Sequence, residues 1–415
     1  MTEEIISPLA PEEFPRLHAT HGVKLASFAA GLRYKNRADL MLATFPEGTT
    51  VGGVFTRSLC PSAPVDWCRR IITNGTARAL VCNAGNANAF TGKSGEKVAQ
   101  LTAKEISAIL GVTPETIFLA STGVIGETLS EETLLGALPK VANQLTDSNS
   151  AAWQQAADAI RTTDTFAKGA GETVYLDGQA VTINGIAKGS GMIAPDMATM
   201  LSFIFTDAAL PSRILQLLLE RAVDRTFNCI TVDSDTSTSD TVLLFATGRI
   251  AGKKPIVDIN DERLVEFSLA LARVLKDLAH QIVRDGEGAT KFVTVEVIGA
   301  ESNNSARKIG LSIGNSPLVK TMLAAEDANW GRLVMAVGKA GEKANRDRLA
   351  LWIGQEQCSH MGVMCADYSE ERATRYLKQK EVTLKADVGV GSGSATIWTC
   401  DLTHRYIDIN AGYRS

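Results

Sequence analysis

Strand-like and helix-like hydrophobic patterns alternate along the whole chain, and between two of the strand-like pieces stands Asp177-Gly178. An Asp-Gly pair flanked by β-type residues is a strong signal for a two-residue hairpin turn of type I′. The expected hairpin joins 173–176 to 180–183 and favours mixed strand directions over a purely parallel sheet. Before it, 51–56, 78–82 and 117–120 read as strands, bounded by Gly, Pro or Asn. The spacing predicts helices over 96–110, 131–145 and 151–161, with Pro139 set to break or kink the second. After it, 200–205 and 241–245 are apolar strands, and 213–224 and 262–283 are amphipathic helices. Later strands are expected over 292–298, 349–353, 382–388 and 395–400, with helices near 330–340 and 370–379. The fold class expected is α+β, in a layered αββα architecture.

Composition removes several function classes. A length of 415 residues, at about 100–200 per domain, gives two to three domains, enough to enclose a dry site. Lys plus Arg is 42 against 46 Asp plus Glu, with no basic run, so no nucleic-acid partner is expected. A membrane span needs about 20 apolar residues; the nearest stretch, 197–206, is half that and starts beside Asp196, so no membrane partner is expected. The acidic start MTEEIISPLAPEEF has no positive segment or apolar core, so it does not read as a signal peptide. Seven cysteines without a CxxC pair read as small apolar residues in a reducing compartment, which places the protein in the cytoplasm.

Metal and nucleotide motifs fail on spacing. A calcium loop begun at Asp233 would put Thr238 where Gly is required and Leu244 where Glu is required. Cys358, His360 and Cys365 match no zinc knuckle and have no assigned fourth ligand. Gly389-Val-Gly391-Ser-Gly393 lacks both GxGxxG spacing and a Walker lysine.

The strongest local oddity is Lys188-Gly-Ser-Gly-Met-Ile-Ala-Pro-Asp-Met-Ala-Thr199-Met-Leu201. Glycines after a lysine let a substrate approach the backbone, and Pro195 fixes one dihedral ahead of the expected strand. A surface loop entering a strand has the same pattern. The chemical alternative is a self-activating threonine. The Thr199 hydroxyl would attack the Ala198 carbonyl, the resulting ester would hydrolyse, and Thr199 would become a new N-terminus. A free α-amine titrates at about 7.7–8.0, so near neutral pH it can serve as base for the hydroxyl on its own residue. His18, His21, His280, His360 and His404 stand in no GxSxG or HExxH setting, which favours a histidine-free nucleophile.

Two further segments carry chemistry. Ser121-Thr122-Gly123-Val-Ile-Gly126 offers a hydroxyl and a glycine N–H that can converge on one oxyanion, or an ordinary strand-to-helix turn. Arg284-Asp-Gly-Glu287-Gly-Ala-Thr-Lys291 is either a charged helix end or the frame of a carboxylate, Glu287, that receives an ammonium group.

Taken in order, these pieces resemble the ornithine acetyltransferase family, the bifunctional glutamate N-acetyltransferases of arginine biosynthesis. The resemblance runs nearly end to end. It covers Gly52-Gly-Val-Phe-Thr56, Asn83-Ala-Gly-Asn-Ala-Asn-Ala89, Ser121 to Gly126 and Thr162-Thr-Asp-Thr165. It continues through Lys188 to Leu201, Ile230-Thr-Val-Asp233, Asp240-Thr-Val242, Arg284 to Lys291 and Asp327 to Arg332. It closes on Ile409-Asn-Ala411 and Tyr413-Arg-Ser415.

The resemblance implies cleavage between Ala198 and Thr199 into an α chain, 1–198, and a β chain, 199–415, held in an α2β2 assembly. It implies a fold like the N-terminal-nucleophile aminopeptidases of the β-peptidyl type. It makes Thr199 the nucleophile and Thr122 and Gly123 the oxyanion hole. Thr165, Lys188, Glu287, Asn410 and Ser415, with Thr199, take the family's substrate-binding positions. Asp196, Ser234 and Ser239 depart from the commonest pattern, which has Asn, Gly and Asn there, and none is a nucleophile or oxyanion donor. The implied reaction moves acetyl from N2-acetylornithine to Thr199 and on to glutamate, with no cofactor or metal. Many family members also accept acetyl-CoA, and others use acetylornithine alone. Two rival readings remain: an amidohydrolase or aminopeptidase of the same fold, and an amino-acid-binding protein that has lost its chemistry.

Overall fold

The structure is a computed structural model of the chain and describes residues 6–194 and 200–412. The chain opens with β1 (Lys24–Phe28), β2 (Leu40–Thr44), β3 (Thr50–Phe55), α1 (Ala63–Ile71), β4 (Ala79–Asn86) and α2 (Gly92–Leu110). It continues with β5 (Ile117–Val124), α3 (Glu131–Ala142), β6 (Thr146–Asp147), α4 (Ser150–Ala159), β7 (Lys168–Leu176) and β8 (Gln179–Lys188). Next come β9 (Leu201–Ala208), α5 (Ser212–Asp224), β10 (Thr241–Ile250), α6 (Leu264–Arg284) and β11 (Phe292–Ala300). The remainder is α7 (Asn303–Gly314), α8 (Pro317–Ala324), α9 (Gly331–Gly338), β12 (Ala350–Ile353), β13 (Glu356–His360), β14 (Val363–Met364), α10 (Glu370–Leu377), β15 (Glu381–Asp387), β16 (Gly393–Cys400) and α11 (His404–Ala411).

The strands form three mixed sheets, ordered β5-β4-β2-β1-β6, β3-β10-β9-β8-β7 and β14-β13-β12-β15-β11-β16. The first two share one apolar core. There Phe45 stacks on Phe245 at 4.5 Å, Phe118 meets Phe245 edge-on at 5.9 Å, and Trp153 lies 5.0 Å from Phe205. Helices α2 and α3 pack on the first sheet and α5 and α6 on the second, which gives the αββα layering. Helix α6 buries Phe267, Leu271, Val274, Leu275 and Leu278 at helical spacing. It also reaches the third sheet, where His280 sits 4.6 Å from Trp398.

Residues Asp177 and Gly178, with φ of 53° and 78°, turn β7 into β8, and both strands extend well beyond the stretch expected from sequence. Strand β9, buried along its length, pairs antiparallel with β8 and parallel with β10. Since β3, β7 and β8 precede position 198 and β9 and β10 follow it, one sheet is woven from both sides of that point. Pro139 does not break α3. The helix runs through it, because the proline withholds one N–H donor but leaves its own carbonyl to accept from Asn143, and it ends at Ala142, three residues short of the expectation. Strand β5 passes the expected end at 120 and continues to Val124 beside β4. The sequence patterns did not mark β1, β2, α1, α7, α8 or α11. Helix α7, for one, is Asn/Ser/Gly-rich, and its start is signalled by Ser302, whose hydroxyl accepts from Ser305 N.

The buried face of α6 carries a pH liability. Burial, with Lys276 and Arg284 adding repulsion, pushes the His280 imidazole down to about 3. The unfolded chain takes up that proton near pH 6.5 and the folded chain does not, so stability present above that point drains as pH falls toward 3. His280→Phe should therefore lose less melting temperature than the wild type between about pH 7 and about pH 5. Parallel melting curves for the two proteins would refute this.

Candidate active site

One cleft is lined by Thr122, Gly123, Lys188, Glu287 and Asn410, with Ser237, Thr238 and Ser239 on another wall. It lies where β8 ends at Lys188 and where β9 begins just after Met200. The Met200 N–H donates to Asp240 Oδ1 at 3.0 Å, and Thr241 N donates to the Met200 carbonyl at 3.1 Å. Burial pushes the Asp240 carboxyl well above the usual carboxylate range, against the bond it accepts from Met200. The expected scissile pair Ala198-Thr199, the departure at Asp196 and the expected substrate residue Ser415 lie outside the described residues.

The strand end that carries Thr122 and Gly123 is fixed by glycine and asparagine. Gly123 has φ of +130°, and a Cβ there would fall 2.3 Å from the Gly85 carbonyl carbon, so only glycine fits. The β4–β5 register is irregular at Gly85 and Asn86, which ends the regular ladder beside Thr122. Asparagines then fasten the chain beyond it. Asn83 Nδ2 donates to Asn86 O at 2.9 Å, Asn88 N to Asn86 Oδ1 at 2.8 Å, and Asn88 Nδ2 to Gly95 O at 3.0 Å. Ser121 Oγ donates to Asn83 Oδ1 at 2.5 Å and Asn86 Nδ2 to Glu127 O at 3.0 Å, so the Asn-rich motif of 83–89 also fastens the chain on either side of Thr122 and Gly123.

Glu287 faces the cleft because its neighbours are small. A Cβ on Gly191 would lie 2.4 Å from the Glu287 carboxyl. Asn410 Nδ2 donates to Glu287 Oε2 at 2.7 Å, and Glu287 N donates to Ser190 O at 2.9 Å. Burial raises the Glu287 carboxyl above its ordinary value, opposed by hydrogen bonds from Asn410 and Thr163. Asp233 accepts from Met192 N at 2.6 Å and Ile193 N at 2.8 Å, so it ties down the segment after Lys188. Tyr406 OH adds a bond to Asp233 at 3.1 Å. Ser234, where glycine is frequent in the resembled family, takes φ of +68°, a left-handed conformation that glycine adopts more readily.

Below the cleft, Lys168 Nζ bonds Asp164 Oδ1 at 2.7 Å and Asp285 Oδ2 at 2.5 Å, all three side chains fully buried. Lys188 Nζ lies 3.8 Å from Asp164 Oδ2. Burial works against the Asp164 charge, but the Lys168 and Lys188 ammoniums outweigh it and hold this carboxyl well below the usual range. Burial pushes Asp285 up to about 6, with Lys168 opposing. Thr165 does not line the cleft. Its N–H and hydroxyl go to Asp285 at 2.9 and 2.5 Å, and it faces an adjoining cavity behind Glu287. Asp164 and Asp285 lie inside motifs of the sequence without a role assigned by pattern, and Lys168 lies outside those motifs. Hydropathy carries no signal that a charge is buried. The available cue was the pairing of Asp164 with Lys168 four residues on.

This arrangement offers two candidate oxyanion donors, a buried cation and a half-buried carboxylate around one small cleft. The sequence pattern that defines the ArgJ family matches residues 24–415. An arginine biosynthesis bifunctional protein ArgJ from Brucella suis is 56% identical over 412 residues, 99% of each chain. A protein of the same description from Agrobacterium fabrum is 55% identical over 416 residues, again 99% of each chain. The crystal structure of an arginine biosynthesis bifunctional protein argJ from Bacillus halodurans is 40% identical, with a TM-score of 0.49 over 52% of this chain and 100% of that chain. With the pattern matched over nearly its whole length, and more than half its residues shared with full-length relatives, this chain belongs to the ArgJ family.

Proposed function

We propose that this protein is an acetyltransferase of arginine biosynthesis that passes an acetyl group from N2-acetylornithine to glutamate through an acetyl ester on Thr199. The observation that carries it is the cleft, which collects Thr122, Gly123, Lys188, Glu287 and Asn410 from segments far apart in sequence beside the end of β8. Its relatives in Brucella suis and Agrobacterium fabrum are arginine biosynthesis proteins, the pathway this reading requires. The chain first severs itself between Ala198 and Thr199. The pieces 1–198 and 199–415 stay together as α and β chains, because β9 is hydrogen-bonded between β8 and β10. The assembly is α2β2.

The freed Thr199 amine takes the proton of the Thr199 hydroxyl, and the oxygen attacks the acetyl carbonyl. Thr122 and Gly123 receive the oxyanion, the ornithine amine leaves with a proton, and the acetyl group rests on Thr199. Glutamate then attacks that ester and leaves as N-acetylglutamate. Lys188 suits a substrate carboxylate, Glu287 the ornithine ammonium, and Asn410 with Ser415 the remaining carboxylate or amide groups. Thr165 supports this set from the adjoining cavity, through Asp285. Acetyl transfer between amines needs neither cofactor nor metal; the site has only to keep water from the ester until glutamate arrives. Acetyl-CoA would enter as an alternative donor substrate at the same threonine.

Four measurements test this. On a denaturing gel with mass spectrometry the wild type should give two fragments split at 198/199, while Thr199→Ala should stay at 44.3 kDa and transfer no acetyl group. Following N-acetylglutamate and free acetate together should show transfer dominating; acetate alone would mark a hydrolase. Thr122→Ala should slow turnover by ~10²–10³ with substrate still bound. Glu287→Gln should reduce the preference for acetylornithine over neutral acetyl-amino acids by about tenfold or more. An unchanged preference would remove Glu287 from that role.

A further inference from the structure

Two carboxylates and two ammonium groups meet under the cleft, and they are bonded unequally. Lys168 Nζ holds Asp164 and Asp285 at 2.7 and 2.5 Å, and the Phe166 carbonyl at 3.4 Å takes its third direction, so its three donors are committed. Asp164 also accepts from Gly189 N at 2.5 Å and Thr162 N at 3.0 Å. Asp285 also accepts from the Thr165 N–H and hydroxyl. Lys188 differs from all of these. Its side chain is 4% exposed, its ammonium is 3.8 Å from Asp164, too far for a hydrogen bond, and it lines the cleft.

We propose that Lys168 is a positioning residue that keeps the Lys188 ammonium available to the substrate. It neutralises the Asp164–Asp285 pair, so Lys188 is held by charge alone and its N–H donors stay directed to the cleft. The inference rests on the proposed acetyl transfer, with Lys188 receiving the substrate carboxylate. The four charges sum to zero, which is what allows them to be buried together. Without Lys168, two carboxylates that now share one ammonium would lose it, and Asp164 would turn to Lys188, whose ammonium already lies 3.8 Å away. Lys188 would then bond downward, and the substrate would lose its partner. Removing Asp285 instead takes away a competitor, so Lys168→Gln should weaken the carboxylate contact while Asp285→Asn should not. A merely structural contribution would give both variants the same sign.

The test uses the full-length protein and two donors, N2-acetylornithine and its α-carboxamide, whose difference reports the carboxylate contact. The wild type should prefer the carboxylate by about tenfold or more in kcat/KM. Lys168→Gln should raise KM for acetylornithine about tenfold, leave kcat within about threefold, and barely change KM for the carboxamide. Asp285→Asn should keep the wild-type preference or enlarge it. If Lys168→Gln does not fold, Asp285→Asn carries the test, and loss of preference in that variant overturns the proposal. Equal losses on both donors in Lys168→Gln, or a lowered kcat at constant KM, also overturn it. A wild type that transfers no acetyl group fails the proposed function itself, and one that transfers without distinguishing the two donors fails the Lys188 assignment; either result is visible before any variant is compared.

Discussion

Strand β9 is the constraint on which the rest of the structure depends. It is buried throughout, with β8 on one side and β10 on the other. Its side chains serve two cores at once: Leu201, Phe203 and Phe205 belong to the one shared with the first sheet, and Ile204 and Ala208 to the one shared with α5 and α6. A central strand of this kind cannot leave without exposing both layers, so a break in the backbone just ahead of it would leave the remaining sheet intact. The same placement sets Lys188, which lines the cleft, opposite Leu201 at the start of the strand and holds the Met200 N–H on Asp240.

Electrostatics adds the second constraint. Lys168, Asp164, Asp285 and Lys188 join the loop at 162–165, the start of β7, the end of α6 and the end of β8. Each of these segments carries or adjoins a residue of the candidate site. The buried, hydrogen-bonded charges of Lys168, Asp164 and Asp285 are costly to separate, so they set the relative positions of those segments more stiffly than apolar contacts would. Asp233 does similar work on the other side by capping the Met192 and Ile193 amides. The acid that suggested a calcium loop is thus committed to backbone bonds.

Much of the architecture was legible in the chain. The Asp177-Gly178 turn was readable because few other backbones accept positive φ at two successive positions. Helix α6 was readable because its apolar residues repeat at helical spacing over 21 residues. Edges were less legible. Strand β5 was cut short because Ser121, Thr122 and Gly123 lack β-type apolar character, yet pairing with β4 extends it to Val124. Strands β1 and β2 and helix α7 were missed where propensity is weak and tertiary packing decides.

The site divides in the same way. Order and identity of residues along the chain determined the fold class, the hairpin, the family resemblance and the choice of Thr122, Gly123, Lys188, Glu287 and Asn410 as residues to watch. Only the tertiary structure decided that these five share one cleft, that Thr165 is spent on Asp285, and that Lys168 is a buried cation. The physical reason is range. Turn chemistry and periodicity act between neighbours in sequence and can be read locally. Burial and charge pairing between residues more than 100 positions apart, such as Lys168 and Asp285, exist only once the sheets have closed.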